Sequence, residues 1–276
     1  HHPLRPRRAI VLGHPTLSRP VLGALLGAED VEVIVIDPQL DWADVARRAH
    51  LVVPAAVGRE QGCVTTGERQ QHLDAWHAAA ETATAAASSW QQRAALAVWE
   101  ASGSDDVLVL GSSSLVRDLE QHAGPTAARV IANRGLAGID GTTAMAGGIA
   151  LAFQAAAAGS DPGRVRLLVG DLTALHDLTG LLIGPEEPRP ALDVIVVDDG
   201  GGRIFSGLEH AAAPPALLRR FFTTPHGADI AAAAAALGAE TLRVSEDTLP
   251  AALAAAPDGL RVLVVQPTPS TDSTNS

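Results

Sequence analysis

The chain has 276 residues, of which 47% are hydrophobic and 18% are charged, a balance that supports a sizeable core and argues against general disorder. Its net charge of −11 argues against nucleic acid or an anionic membrane as the main partner. The single Cys63 excludes an internal disulfide, and no apolar run reaches the roughly 18 residues of a membrane span, so we expect a cytoplasmic protein.

Short apolar runs rich in β-branched residues alternate along the chain with Ala-rich stretches. Runs that are apolar on both faces are typical of parallel strands covered by helices. The alternation therefore predicts an α/β fold of doubly wound parallel sheets with helices on both faces. The predicted strands are 9–13, 31–36, 106–111, 129–133, 165–170, 192–197 and 260–266, and the predicted helices are 41–50, 68–101, 142–158 and 228–238.

The order of these elements divides the chain into parts. A small α/β unit over 1–66 is followed by a helical connector over 67–103, which separates it from a complete α/β domain over 104–267. Residues 268–276 are rich in Pro, Ser and Thr, so we expect a disordered tail.

Small, polar and charged residues follow four of the predicted strands, at 111–113, 133–135, 170–171 and 198–202. Ligands of open α/β sheets bind beyond the carboxyl ends of the strands. These four strand ends are therefore the candidate ligand site.

Two of these strand ends carry carboxylates, Asp171 and Asp199, which lie 28 residues apart, the length of one strand–helix–strand unit. Neighbouring carboxylates repel unless a proton or cation lies between them, and oxygen ligands suit Mg²⁺ or Ca²⁺. The spacing therefore predicts a metal-bridged diphosphate. The alternative is structural, with Asp171 as a helix N-cap and 198–200 as a surface turn.

Longer stretches around these residues resemble the MenD family, the 2-succinyl-5-enolpyruvyl-6-hydroxy-3-cyclohexene-1-carboxylate synthases of menaquinone biosynthesis. The resemblance covers the chain from Arg8 to Pro267. The stretches that carry it are "NRGLAGIDG" (133–141), "GDLTALHDLTGLL" (170–182), "DDGGGRIFSGLE" (198–209) and "TPHGADI" (224–230).

The resemblance implies a thiamine-diphosphate-dependent carboligase that decarboxylates 2-oxoglutarate and adds the succinyl semialdehyde unit to isochorismate. It implies Mg²⁺, or alternatively Mn²⁺, held by the side chains of Asp171 and Asp199 and the backbone carbonyl of Gly201. It also implies catalytic roles for Arg117 and Arg134. The cofactor-binding residues it implies are Ser113, Ile139, Gly170, Asp171, Leu172, Gly201, Gly202, Ile204, Phe205 and Leu208.

Arginine suits these catalytic positions because both substrates are dianions and the chain contains no lysine. Each position also has a structural interpretation. Arg117 could lie on a helix surface, Arg134 could form a structural ion pair, and Ser113 could cap a helix. Phe205 and Leu208 could be simple core residues.

Two histidines are not selected as site residues. We expect His176 to pack on the first turns of its helix. We expect His226 to be part of the loop that precedes the helix at 228.

The chain departs from the family pattern in two ways. An acidic residue, Asp199, stands where the family often has an amide, and Asp198 adds further negative charge. The resemblance implies that 1–66 is part of the middle domain, that 67–103 is a helical connector and the start of the diphosphate domain, and that 104–267 is the thiamine-diphosphate-binding domain. The pyrimidine-binding domain, whose glutamate activates the cofactor, has no counterpart, so the chain resembles a C-terminal half that is inactive alone. The partners implied are the missing N-terminal half and a second subunit of a homo-oligomer, dimer or tetramer.

Other functions remain open at this point. The chain could be a thiamine-diphosphate enzyme of the acetolactate synthase or 2-oxoacid decarboxylase type, or a cofactor-binding module without turnover. A nucleotide-binding domain is disfavoured because neither a Walker loop nor a G-x-G-x-x-G motif is present. Surface left uncovered by the missing domain should be apolar, which predicts self-association.

Overall fold

The computed structural model describes residues 4–13, 15, 17–39, 44, 46–57, 66–83, 86–133, 138–157 and 163–268. The chain divides into two compact units between Ala85 and Ala86. The assignment of these parts to a partial middle domain, a connector and a diphosphate-binding domain stays a prediction. The predicted tail falls almost wholly outside the described residues.

The first unit contains a three-stranded parallel sheet in the order β1-β2-β3. Val33 and Val35 of the central strand are buried on one face, while Ile10 and Leu12 on the other face are 57% and 75% exposed. The elements are β1 (Arg8–Leu12), a π-helical segment (Val21–Leu26), β2 (Glu32–Ile36), β3 (Ala49–Val53) and α1 (Gly67–Ala83).

Two helix predictions need correction. The helix predicted over 41–50 is wrong at its end, because "AHLVV" forms β3, whose apolar residues pair with β2. The helix predicted over 68–101 is two helices, since Ser89 begins a new one. Its hydroxyl accepts the Gln92 backbone N–H at 3.2 Å, and the Gln92 side chain bonds back to the Ser89 backbone.

The second unit contains a six-stranded parallel sheet in the order β5-β4-β6-β7-β9-β8. Its strands are β4 (Val107–Leu110), β5 (Arg129–Ala132), β6 (Val165–Gly170), β7 (Leu192–Val197), β8 (Glu240–Val244) and β9 (Leu260–Val265). Its α-helices are α2 (Trp90–Glu100), α3 (Ser114–His122), α4 (Thr142–Ala156), α5 (Asp171–His176), α6 (Pro215–Leu218), α7 (Ile230–Ala236) and α8 (Leu249–Ala254).

Helices cover both faces of this sheet. On one face α4, α5 and α7 pack against residues such as Val109 and Val194, and on the other α2, α3 and α8 pack against residues such as Leu108 and Ile195. The predicted doubly wound α/β class is therefore confirmed. Within the described part of the chain, no helix is long and apolar enough to cross a membrane.

The sheet has a topological switch between β4 and β6. The chain leaves β4 toward β5 on one side, returns past β4 to β6, and continues toward β7 on the other side. Ligands of such sheets bind at the carboxyl ends of the two strands where the direction reverses. The strand ends approach closely here: a Cβ on Gly111 would lie 2.6 Å from Val169 Cγ1, and one on Gly170 would lie 3.2 Å from Ser113 Oγ.

Candidate metal and cofactor site

Asp171 lies at the carboxyl end of β6, directly after Gly170, and is only 3% exposed. Its Oδ1 accepts the backbone N–H of Leu172 at 2.6 Å. Its Oδ2 accepts the backbone N–H of Gly201 at 2.7 Å and lies 3.1 Å from His226 Nε2. The carboxylate is therefore held by three donors from three segments of the second unit.

Asp198 lies beside it at the carboxyl end of β7, the neighbouring strand. Its Oδ1 accepts the Gly200 N–H at 3.2 Å, and its Oδ2 accepts the Gln266 side-chain N–H at 2.9 Å. Within the described residues, one ligand atom each from Asp171, Asp198 and His226 lie within 4.8 Å of one another, a spacing that could hold a metal ion. Sequence reasoning did not select Asp198 or His226.

Asp199, the predicted second metal ligand, is on the same turn. Its Oδ2 lies 3.0 Å from Arg203 Nε and 3.5 Å from Gln91 Nε2. Burial, with the negative charge of Asp171, raises the pKa of the Asp199 carboxyl from 3.8 to about 6, and Arg203 opposes the shift. Its surroundings therefore stabilise the Asp199 carboxylate incompletely, and carboxylate oxygens are donors that suit a hard divalent cation such as Mg²⁺ or Mn²⁺.

Arg203 connects this turn to two helices of the second unit. Its Nη2 donates to Asp118 Oδ2 and, at 3.0 Å, to Ser114 Oγ, both on α3. Gln92 on α2 donates to the other oxygen of Asp118 at 3.4 Å. Sequence reasoning missed this arginine, although it lies inside the stretch "GGGRIF".

Glycines are required where the turn after β7 meets the segment around Thr223. Gly201 has φ +155°, and a Cβ there would lie 2.3 Å from Thr223 O. The N–H of Gly202 donates to that same oxygen at 2.7 Å. A side chain at Gly201 would therefore displace the backbone that supplies a hydrogen bond to Asp171.

Ser113 lies at the switch point, at the amino end of α3. Its Oγ accepts the Leu115 N–H at 3.3 Å, so the helix-cap interpretation is confirmed, and it also faces Gly170. Arg117 follows on the same helix and is half-buried. The predicted Arg134 lies outside the described residues.

The predicted apolar residues are all half-buried. Ile139 precedes α4, and its carbonyl accepts the Thr142 hydroxyl at 3.3 Å. Ile204 and Phe205 are on a 3₁₀ turn (Arg203–Gly207), and Leu208 follows it. The ring of Phe205 packs against those of His210 and Phe222, with centroids 5.3 Å and 5.7 Å away.

A cleft of about 490 Å³ opens beside the carboxylates. It lies beyond the carboxyl ends of β7 and β9, because Asp198 directly follows β7 and Gln266 directly follows β9. The residues that line it are Asp198, Gly200, His226, Gly227, Ala228, Gln266 and Pro267.

Comparison with known proteins identifies relatives of this chain. No protein-family model matches it. It is 43% identical over 268 residues to the 2-succinyl-5-enolpyruvyl-6-hydroxy-3-cyclohexene-1-carboxylate synthase of Kineococcus radiotolerans, an alignment that covers 93% of this chain and 46% of the relative. It is 40% identical over 277 residues to the synthase of the same name from Rhodococcus erythropolis, covering 95% of this chain and 48% of the relative.

A third synthase of that name, from Leifsonia xyli subsp. xyli, is 39% identical over 302 residues, with 95% of this chain and 51% of the relative covered. The chain thus spans about half the length of the curated relatives it matches. The predicted resemblance is confirmed, and the chain belongs to the family of 2-succinyl-5-enolpyruvyl-6-hydroxy-3-cyclohexene-1-carboxylate synthases.

Proposed function

We propose that this chain is the C-terminal, cofactor-binding half of a thiamine-diphosphate- and Mg²⁺-dependent carboligase of menaquinone biosynthesis. The whole enzyme decarboxylates 2-oxoglutarate and adds the succinyl semialdehyde unit to isochorismate. The observation that carries the proposal is the meeting of Asp171 with Asp198 and Asp199 at the ends of two adjacent strands, next to the topological switch point. The names of the relatives give the product, 2-succinyl-5-enolpyruvyl-6-hydroxy-3-cyclohexene-1-carboxylate.

The metal is held by Asp171 and Asp199 with the carbonyl of Gly201. The all-oxygen donor set and the raised pKa of Asp199 support a divalent cation at this place. Mg²⁺ is the proposed ion. Mn²⁺ can substitute for it, because both ions bind the same oxygen donors.

The carbanion chemistry is supplied by thiamine diphosphate when it is bound. The residues that would hold its diphosphate are Ser113, whose hydroxyl lies beside Gly170, together with the backbone of Gly170 and Leu172. Gly201 and Gly202 would contribute backbone groups to the same site.

The apolar wall of the pocket is proposed to consist of Ile139, Ile204, Phe205 and Leu208, which exclude water from the reacting atoms. Arg117 and Arg134 bind the carboxylates of the substrates, because a guanidinium forms paired hydrogen bonds with a carboxylate.

The proposed partner is the N-terminal half, which carries the pyrimidine-binding domain. Parallel sheets are normally covered on both faces, yet Ile10, Leu12 and Leu51 of the first unit are more than half exposed. This uncovered apolar face, together with relatives about twice as long, supports a further segment packed there. The chain alone is therefore inactive, and the assembled enzyme is a cytoplasmic homo-oligomer.

The test is isochorismate consumption with 2-oxoglutarate, thiamine diphosphate and Mg²⁺, measured for the chain alone and mixed with the N-terminal half of the Kineococcus radiotolerans relative. We expect turnover only in the mixture, abolished by Asp171→Ala and unchanged by the matched control Asp258→Ala, an exposed aspartate in the turn before β9. Cofactor binding without turnover in both arms would favour a non-catalytic module. Absence of cofactor binding would refute the proposal.

A further inference from the structure

His226 contacts Asp171 from a segment that is distant in sequence. It lies 55 positions further along the chain, between the strained turn residue Thr224 (φ 39°) and the start of α7. Its side chain is only 14% exposed. The imidazole is therefore partly buried and held against a carboxylate of the candidate site. The hydrogen-bond partners of its two ring nitrogens indicate what it does there.

The Nδ1 atom of His226 is a hydrogen-bond acceptor. The backbone N–H of Ala228 donates to it at 2.9 Å. A nitrogen that accepts an N–H cannot itself carry a hydrogen, so the hydrogen of the ring is on Nε2. Nε2 therefore donates to Asp171 Oδ2, 3.1 Å away, whereas Asp198 Oδ1 at 3.9 Å is too distant to accept.

This tautomer decides between two uses of the histidine. A metal ligand must present an unprotonated nitrogen, and the nitrogen that faces the carboxylates carries the hydrogen. Although Asp171, Asp198 and His226 have metal-like spacing, the histidine is a donor to a carboxylate and not a third ligand.

The donor acts on one oxygen of Asp171. Oδ2 receives two N–H donors, from Gly201 and His226, while Oδ1 accepts the N–H of the adjacent residue, Leu172. An oxygen with two donors has both lone pairs occupied, so a cation would be bound through Oδ1.

We infer that His226 is a positioning residue, a fixed Nε2–H donor that holds Asp171 Oδ2 and directs Oδ1 toward the metal. This inference rests on the proposed metal site at Asp171. Hydrogen-bond partners of carboxylate and histidine ligands typically change metal affinity 10- to 100-fold when removed. The ring of His226 stays outside the set of metal ligands.

The test uses three variants of the full chain. His226→Leu removes the donor, and His226→Gln places a side-chain N–H at a similar reach. His176→Leu is the matched control, because His176 also faces an aspartate, Asp140 at 3.4 Å, but is exposed and was not selected as a site residue. Circular dichroism verifies folding of each variant.

Metal affinity is read from the electron paramagnetic resonance signal of free Mn²⁺, titrated with thiamine diphosphate present and corrected by a protein-free blank. We expect His226→Leu to weaken Mn²⁺ binding roughly 10- to 100-fold, His226→Gln to restore most of the affinity, and His176→Leu to match wild type. In nitrogen-15 NMR, the ring whose signals disappear in His226→Gln should carry its hydrogen on Nε2.

Two failures are distinguishable. If wild type binds no Mn²⁺, the proposed metal site is refuted, and the inference with it. If wild type binds Mn²⁺ and His226→Leu binds it equally well, or if NMR shows the hydrogen on Nδ1, the inference alone is overturned.

Discussion

A buried row of charges crosses the second unit at the amino ends of its strands, opposite the candidate site. Arg166 on β6, Asp193 on β7 and Arg261 on β9 occupy paired register positions, and each is at most 3% exposed. Arg261 Nε lies 2.7 Å from Asp193 Oδ1, and Arg261 Nη2 donates to the Ala255 carbonyl at 2.8 Å. Arg166 pairs with Asp106 at 2.8 Å.

Replacing one member of this row should be far more damaging than replacing two. Arg261→Met leaves the Asp193 carboxylate buried without its partner, which should reduce the free energy of unfolding by about 3–5 kcal/mol. The double variant Asp193→Leu/Arg261→Met removes both desolvated charges and should recover most of that loss. Among the described residues, Asp193 Oδ2 already lacks a hydrogen-bond partner, so the native pair is imperfectly compensated.

The assay is urea unfolding followed by tryptophan fluorescence in a Trp42→Phe/Trp76→Phe background. The remaining tryptophans, Trp90 and Trp99, both lie on α2, so the signal reports on the second unit. The matched control is Arg243→Met, because Arg243 forms an ion pair with Asp229 in which both side chains are about half exposed, 50% and 54%. That substitution should change the free energy of unfolding far less than Arg261→Met does.

The pH dependence gives a second measurement. Burial raises the pKa of the Asp193 carboxyl above its usual value, and Arg261 opposes the shift. The folded state therefore binds this proton more readily than the unfolded state, and the carboxyl favours folding less as pH rises. Without Arg261 the pKa of Asp193 should rise further. The loss in free energy of unfolding of Arg261→Met relative to wild type should therefore become smaller from pH 7 toward pH 4. Equal losses in the single and double variants, or a deficit that grows in acid, would refute this reasoning.

Three further predictions concern the site and the first unit. The pKa of Asp199 is about 6 in the folded state and 3.8 ordinarily, so the stability of the metal-free chain should fall as the pH rises between these two values. Asp199→Asn should therefore be about 1–3 kcal/mol more stable than wild type in urea unfolding at pH 7.5. The same variant should bind Mn²⁺ more weakly. Gly201→Ala should reduce the free energy of unfolding by about 2 kcal/mol or more and weaken Mn²⁺ binding, because a Cβ would lie 2.3 Å from a backbone carbonyl oxygen. The control Gly124→Ala should change neither quantity, because the space around Gly124 is open. Light scattering should show self-association of the chain that Ile10→Ser/Leu12→Ser reduces, and a monodisperse wild-type monomer would contradict this.

Strands that are buried on both faces could be predicted from the sequence, whereas of the more exposed strands β1 and β5 could be predicted and β3 and β8 could not. β6, β7 and β9 are apolar apart from one charged residue near the amino end of each, because helices cover them on both sides. The edge strand β8, "ETLRV", is largely exposed and therefore lacks that pattern. β3 was not predicted because the residues before it favour a helix. Its strand conformation is set by its pairing with β2.

The same distinction applies to the site. The position of Asp171 could be predicted because it follows directly from the end of a buried strand. The contacts of His226 and Arg203 could not, because they depend on how loops separated by tens of residues meet above the sheet. The resemblance of "TPHGADI" and "GGGRIF" to family sequences was the available signal for both, but it does not specify which atoms meet.

The arrangement of charges explains why a divalent cation suits this place. Asp171, Asp198 and Asp199 lie together, and His226 contacts Asp171 as a hydrogen-bond donor through Nε2. Arg203 contacts Asp199, but the same guanidinium also serves Asp118. One positive charge is thus divided between two carboxylates, and burial together with the negative charge of Asp171 raises the pKa of Asp199 to about 6. A bound divalent cation would replace the Asp199 proton, so its affinity should fall as the pH drops below about 6, the pKa of Asp199.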